Sequence, residues 1–156
     1  MAEKKIVLFH INKQEYGIDI AKVNAIEPIT GTVQVPNAPG NIEGIINLRG
    51  MVIPVYSLHS KFKLTRMESE VEPKLIITRS GDNTFAFSVD AVDEIFVVDS
   101  KDLSVPPKVL QSGKTSYIEE IANIKGKLVL CLDVDKILSE NEKDDMKDFV
   151  DCLKEE

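Results

Sequence analysis

The chain has 156 residues, of which 43% are hydrophobic and 29% are charged, and this balance is typical of a folded globular protein with one substantial core or two small ones. Its net charge is −7, and most of that charge comes from residues 133–156, which contain ten acidic residues and four lysines. Because the remaining body is nearly neutral, neither part has the basic surface that nucleic-acid binding requires.

Nothing near the N-terminus predicts export or membrane insertion. The apolar run at residues 6–9 is too short for a signal peptide, and no run approaches the roughly 20 apolar residues of a membrane span. Two cysteines are present, Cys131 in an apolar run and Cys152 in an amphipathic segment. We therefore expect reduced thiols and a cytoplasmic protein.

Short apolar runs separated by turn residues predict strands and little helix in the first half. Strands are expected at residues 5–11, 16–20, 42–48 and 51–55, with an extended segment at 26–35. Arg49 and Gly50 join two of these strands, and glycine can adopt the positive φ of a tight turn. Leu58 and Phe62 are four residues apart, which is consistent with a short helix at residues 57–64.

The second half follows a polar, acidic link at residues 65–73. Strands are expected at residues 74–78, 85–89, 94–98, 117–124 and 127–132, with a long loop at 99–113. A further helix is predicted from residue 134 to 138. Residues 139–156 form a predicted acidic, amphipathic helix whose apolar stripe should dock on the body: Met146, Phe149, Val150 and Leu153.

Two sequence blocks occur twice in the same order. Residues 16–26 resemble residues 85–95, and residues 42–50 resemble residues 118–126, each of the latter pair ending in a cation followed by glycine. This repeat predicts two similar modules within one domain, spanning about residues 14–64 and 73–138, with a strand at 5–12 that can cross between them. Two sets of five short strands predict an all-β fold of two small barrels around a shared hydrophobic region.

The sequence lacks the patterns of known catalytic and metal sites. His10 and His59 have no zinc-ligand spacing, and Ser57 lies near His59 without a nucleophile elbow. The acidic tail lacks the central glycine and closing glutamate of an EF-hand, and there is no phosphate-binding glycine loop. We therefore predict a protein that is not an enzyme and that has no metal or cofactor.

Two features are candidates for a protein-binding surface. The first is Arg49 with Gly44 and Gly50: the arginine either pairs with a local carboxylate at a turn or contacts a partner, since arginine is enriched at interfaces. The second is a set of aliphatic residues at equivalent positions of the two repeats, which either fills the core or lines a groove that accepts an amphipathic helix: Ile20, Val23, Ile26, Val89, Val92 and Ile95.

The residues that carry these features resemble the CheW family of bacterial chemotaxis coupling proteins. The resemblance covers about residues 5–138, and its most specific element is Asn47-Leu48-Arg49-Gly50 with its flanking strands. It implies two five-stranded SH3-like β-barrels and no enzymatic activity. It further implies an adaptor that couples the cytoplasmic tips of methyl-accepting chemoreceptors to the regulatory domain of the histidine kinase CheA, in arrays beneath the membrane.

By the same resemblance, Arg49 corresponds to an arginine needed for receptor–kinase signalling, Gly44 and Gly50 to glycines needed for coupling, and Val23 to the receptor-facing region. The full predicted partner-binding set is Arg49, Gly44, Gly50, Val23, Ile20, Leu48, Val92 and Ile95.

The chain departs from the family pattern at Ala25. Many members have a glutamate where this chain has Ala25, and Glu27 could replace it as the partner of Arg49. The alternative function, a small-barrel nucleic-acid-binding protein, would need clustered basic and aromatic residues on one face, which the sequence does not show.

Overall fold

The computed structural model describes residues 3–29, 31–38, 40–68, 71–111 and 116–154. In these residues twelve strands account for most of the regular structure. The strands are β1 Glu3–Ile11, β2 Gln14–Asp19, β3 Val23–Pro28, β4 Val33–Gln34, β5 Ile42–Leu48, β6 Met51–Ser57, β7 Lys74–Ser80, β8 Asn83–Val89, β9 Ala91–Asp99, β10 Leu103–Ser104, β11 Ile118–Ile124 and β12 Lys127–Leu132. Three short 3-10 turns and three helices complete the fold: Ile20–Lys22, Ser100–Asp102, Lys108–Leu110, α1 Leu58–Lys61, α2 Val134–Ile137 and α3 Glu140–Lys154. The prediction of a mostly-β protein with few, short helices is confirmed.

The strands form two six-stranded sheets with the same internal arrangement. One sheet has the order β10-β11-β12-β2-β1-β9, and the other has the order β4-β5-β6-β8-β7-β3. Neighbours are antiparallel except for β12 with β2 and β6 with β8, which are parallel. Each sheet contains five strands of six or more residues and one strand of two residues. The predicted strands correspond to the long ones.

The two repeats exchange their first hairpins. Strands β1–β6 correspond in order to β7–β12, but the hairpin β1–β2 joins the sheet built from β9–β12, and the hairpin β7–β8 joins the sheet built from β3–β6. The predicted module boundaries at residues 14–64 and 73–138 therefore follow the repeats and do not coincide with the two sheets. Hydrophobic periodicity identifies a strand but carries no information about its partner.

The two edge strands of each sheet are consecutive in sequence, and the sheet curls to bring them close together. Only the 3-10 turn Ser100–Asp102 separates β9 from β10, and four residues separate β3 from β4. Since links of three or four residues cannot span a flat six-stranded sheet, the edges must lie close together. Curling in this way gives each sheet a barrel-like shape with its own interior.

Three clusters of buried side chains make up the core. One lies inside each curled sheet, and a larger central core, which includes residues of both sheets, lies between them. Strand β1 shows how one strand serves two cores, because Ile6 and Leu8 face the interior of their own sheet while Phe9 and Ile11 face the central core. A strand that is buried on both faces has a continuous apolar sequence. This explains why apolar and polar residues alternate only weakly along such strands.

Helix α3 docks on the central core, as its apolar stripe predicted. Met146 is only 2% exposed and belongs to the central core, and α3 lies against β6. Phe149 is half-buried, while the side chains of Val150 and Leu153 lie outside the described part of the structure. The Ser139 hydroxyl accepts a hydrogen bond from the backbone N–H of Glu142 at 3.1 Å, a helix N-cap that sets where α3 begins.

Candidate functional site

Arg49 lies at the tip of a tight hairpin between β5 and β6. Both turn residues have positive φ, 54° for Arg49 and 85° for Gly50, as a two-residue type I′ turn requires. The side-chain oxygen of Asn47 accepts a hydrogen bond from the Gly50 backbone N–H at 2.9 Å and stabilises the turn. Arg49 is exposed, and no carboxylate among the described residues lies within ion-pair distance of its guanidinium. The structure therefore does not support a turn cation paired with a local acid.

The second repeat contains the same turn with a different cation. Lys125 and Gly126 have φ of 52° and 83°, and Asn123 accepts a hydrogen bond from the Gly126 N–H at 3.1 Å. The Lys125 ammonium lies 6.0 Å from the ring centre of Phe96, at the outer limit of a cation–π contact. The two turns thus share a backbone, and they differ in the surroundings of the cation.

Gly44 has a packing role that its position in the sequence did not reveal. It lies in β5 opposite Gln34 of the short strand β4, and a Cβ at this position would come within 2.4 Å of the carbonyl oxygen of Val33. Only glycine allows β4 to approach β5 this closely. Gly44 is buried beside the exposed strand β4, and its lack of a side chain lets that strand join the edge of the sheet.

Ile20 and Val23 lie where the chain passes from one sheet to the other. The 3-10 turn Ile20–Lys22 is capped by Asp19, whose carboxylate accepts a hydrogen bond from the Ala21 N–H at 2.9 Å. Val23 is half-buried against the central core, and Ile26, three residues on, is 43% exposed opposite the core residue Ile76. Since residues that pair across strands face the same side, Ile26 extends the apolar face of the central core to the surface.

A salt bridge fixes this turn against α2. The Lys22 ammonium donates to the Asp135 carboxylate at 3.0 Å, and the Ser80 hydroxyl donates to the other oxygen of that carboxylate at 2.8 Å. The hydrogen bonds from Ser80 and Lys22 lower the pKa of Asp135 below its ordinary value. Asp135 therefore connects the turn, α2 and β7 in one network that positions Ile20 and Val23.

Val92 and Ile95 occupy the equivalent place on β9. Val92 lies opposite Phe9 and packs against the central core, while Ile95 is 54% exposed opposite Val7. The edge-strand surface, as we define it, has two parts on edge strands of different sheets: Val23 and Ile26 on β3, and Val92 and Ile95 on β9. Val89, another aliphatic residue of the predicted set, is 1% exposed and belongs to the core. At this position the core interpretation is the correct one.

Leu48 is half-buried and packs with Ala25 and Ile29 on the core inside the second sheet. It supports the end of β5 directly before Arg49. Glu27 forms no ion pair with Arg49 among the described residues, so the structure does not support the predicted replacement of the family glutamate.

Two exposed residues lie beside the predicted set but do not belong to it. Met51 follows the Arg49 turn and is 55% exposed, and Val33, which pairs with Ile45 at the edge of the sheet, is 58% exposed. The position of Met51 at the start of a strand, directly after the turn, could have indicated its exposure. Val33 gave no signal, because its exposure depends on how β4 adds to the sheet edge.

The residues considered for catalysis have structural contacts. The Ser57 hydroxyl accepts a hydrogen bond from the Ser60 N–H and caps α1. His59 is buried, and its Nε2 atom lies 3.1 Å from the Asp90 carboxylate, which also accepts from the Asn12 N–H. These contacts connect α1 to the corner between β8 and β9.

Comparison with known proteins identifies the family. The CheW-like domain model matches residues 5–142. The chain belongs to the CheW-like family. It is 25% identical over 139 residues to the chemotaxis protein CheW of Klebsiella aerogenes, covering 89% of this chain and 84% of that protein, and 29% identical over 135 residues to CheW of Bacillus subtilis, covering 86% of each.

The fold agrees with a solved structure of this family. The crystal structure of the scaffolding protein TtCheW from Thermoanaerobacter tengcongensis superposes with a TM-score of 0.79 at 29% identity, covering 91% of this chain and 92% of that one. The CheW-like match includes both sheets, the Arg49 turn and the edge-strand surface. Across the described residues, no helix has the length and apolar character needed to cross a membrane.

Proposed function

We propose that the chain is a non-catalytic adaptor that couples transmembrane chemoreceptors to the histidine kinase CheA. Its partners would be the regulatory domain of the kinase and the helical cytoplasmic tip of the receptors, and it would act in the cytoplasm beneath receptor arrays. Membership of the CheW-like family supports this proposal, as does the description of the TtCheW relative as a scaffolding protein.

The exposure of Ile26 and Ile95 is the observation that carries the proposal. Both side chains are about half exposed, at equivalent positions of two edge strands, and both extend apolar faces that are otherwise buried. Apolar residues surrounded by charged ones are typical of surfaces that bind a partner reversibly. An amphipathic helix that lays its apolar face on either edge strand would bury the exposed isoleucine of that strand.

Arg49 adds a separate polar contact. Its turn is closed by the hydrogen bond between Asn47 and Gly50, its side chain is exposed, and it has no carboxylate partner among the described residues. An arginine held in this way can form a bidentate contact with a carboxylate of the partner without first breaking an internal ion pair. We further propose that residues 5–138 act as one unit, because both sheets share the central core.

A binding experiment with purified components tests the proposal. The chain is immobilised and presented with a receptor cytoplasmic fragment, with the kinase regulatory domain, and with both together, and a helical hairpin of unrelated sequence serves as the control. We expect each partner to be retained separately and all three proteins to be retained together. Failure to retain either partner at micromolar concentration would overturn the proposal.

A further inference from the structure

We propose that a cleft where the two repeats meet binds a nucleoside phosphate, a small molecule that carries a phosphate group and a planar base. The cleft has a volume of about 500 Å³, within the range of pockets that bind small molecules. Its walls come from the residues before β5 and β11, from the helices α1 and α2, and from the residues that follow those helices. This site does not depend on the proposed adaptor function.

Equivalent parts of the two repeats build the walls of the cleft. The backbone N–H of Ser57, at the end of β6, donates to the carbonyl of Asn41 at 2.9 Å. In the second repeat, the N–H of Asp133, after β12, donates to the carbonyl of Tyr117 at 2.8 Å. Ser57 and Asp133 then cap α1 and α2 with their side chains. These repeated contacts fix both walls, and ligand sites are common where two structural units meet.

Positive charge collects in this cleft, although the whole chain has a net charge of −7. Lys61 and Lys63 from the first repeat and Lys136 from the second line it, and no carboxylate among the described residues does. The Lys61 ammonium donates to the Glu142 carboxylate at 2.7 Å, which offsets its charge. Lys63 and Lys136 form no ion pair within the described part of the chain. A phosphate group with two negative charges matches these two lysines.

Tyr117 provides an aromatic wall beside the lysines. Its ring stacks on that of Phe62, with the ring centres 5.4 Å apart and the planes inclined by 22°, so the ring is held in one orientation. Burial raises the pKa of Tyr117, which keeps its hydroxyl a neutral hydrogen-bond donor at physiological pH. Because a phosphate group fills only a small part of about 500 Å³, the rest of the cleft has room for a nucleoside. Aromatic side chains are frequent stacking partners of nucleobases.

A simpler interpretation is that the lysines attract any small anion and that the cleft selects no particular ligand. Calorimetry with AMP, adenosine and inorganic phosphate distinguishes the two. If the cleft holds both parts of a nucleotide, AMP binds with one site per chain, and adenosine and phosphate each bind at least about tenfold more weakly. Phosphate that binds as tightly as AMP would overturn the proposal, and so would the absence of AMP binding at millimolar concentration.

Substitutions place the binding in this cleft. Lys63→Met and Lys136→Met should each weaken AMP binding by about tenfold, because each removes one cation from the phosphate. Both lysines are exposed, and methionine retains the Cβ that Lys63 already accommodates at a φ of 58°. Lys101→Met changes the net charge equally at an exposed lysine outside the cleft and should leave the affinity within about twofold.

Tyr117→Leu tests the aromatic wall separately. This substitution should weaken AMP binding by about tenfold while leaving the weaker binding of inorganic phosphate within about twofold, because only the base loses its stacking partner. Circular dichroism checks the folding of every variant. Equal losses of AMP affinity in Lys101→Met and in the two lysine variants of the cleft would overturn the proposal, as would unchanged AMP affinity in those two variants.

Discussion

The hydroxyl of Tyr56 on β6 donates a hydrogen bond of 2.5 Å to the carboxylate of Glu142 on α3. The same carboxylate accepts from Lys61 at 2.7 Å and from the Asn41 amide at 2.9 Å. Burial alone would raise the pKa of Glu142, but the hydrogen bonds from Lys61, Tyr56, Ser139 and Asn41 outweigh it and lower that pKa to about 2. This one carboxylate connects α3 to the body of the protein.

Glu142→Gln should therefore weaken the attachment of α3. We expect the free energy of unfolding at neutral pH to fall by about 1–3 kcal/mol, because the charged acceptor of several buried or half-buried donors is lost. Urea denaturation followed by circular dichroism measures this change. The matched control is Glu140→Gln on the same helix, where the carboxylate is almost fully exposed and the change should be within about 0.5 kcal/mol.

The effect of Glu142 should depend on pH in a defined direction. Since the folded protein holds its pKa at about 2, below the ordinary value of 4.5, the carboxylate stabilises the fold fully above pH 4.5. That contribution disappears as the pH falls from 4.5 to about 2. The difference in unfolding free energy between the unmodified chain and Glu142→Gln should shrink over this range, and a constant difference would contradict the network.

Arg49→Ala should reduce partner binding without affecting the fold. Alanine has a Cβ like arginine, so the backbone conformation of the turn is equally accessible, and the exposed guanidinium has no described internal partner to lose. We expect an unfolding free energy within about 0.5 kcal/mol of the unmodified chain and a clear loss of coupled kinase activation. The control is Lys125→Ala, which removes the cation from the equivalent turn of the second repeat and should not reduce coupled kinase activation. Unfolding of Arg49→Ala would show that the arginine is structural.

Gly44→Ala should destabilise the protein strongly. The added methyl group would lie 2.4 Å from the Val33 carbonyl oxygen, so β4 must move away from β5. Overpacking of this kind costs about 1–3 kcal/mol, which thermal denaturation would detect as a lower midpoint. Gly50→Ala has open space around the added Cβ and introduces only the strain of a positive φ, about 1 kcal/mol. If the two variants were equally stable, contact with Val33 would not be the reason for glycine at 44.

Ile26→Glu and Ile95→Glu should each weaken binding of the receptor fragment by about tenfold or more. Each places a charge in an apolar contact, and both side chains are exposed enough for the fold to tolerate it. Fluorescence anisotropy with a labelled receptor fragment measures the affinity. Leu128→Glu, at an exposed leucine on β12, controls for added negative charge elsewhere. Equal losses in all three variants would indicate a nonspecific charge effect.

Local patterns predicted the strands well because each long strand is a short apolar run bounded by turn residues. The hairpins 42–48 with 51–55 and 117–124 with 127–132 were identified from apolar runs around a cation and glycine, and the structure has both turns in the expected conformation. The pairing of β12 with β2 and of β6 with β8 was not predictable. These parallel contacts join residues far apart in sequence, and no turn motif marks them.

The candidate site was predicted less completely than the fold. Arg49 stood out because a lone cation in an apolar stretch must be exposed or paired. Composition could not separate Val89, which is buried, from Ile95, which is exposed, because both are aliphatic and both lie in strands. Their difference follows from whether a second sheet covers the strand at that point, and this depends on tertiary structure alone.

The exchange of hairpins between the two sheets affects how the chain can be assembled during synthesis. Strands β1 and β2 are synthesised before their pairing partners β9 and β12, which belong to the second repeat. The hairpin β1–β2 therefore has to wait, with apolar residues uncovered, until the strands of the second repeat have been translated. Native structure in such a protein should be gained and lost in a single cooperative transition.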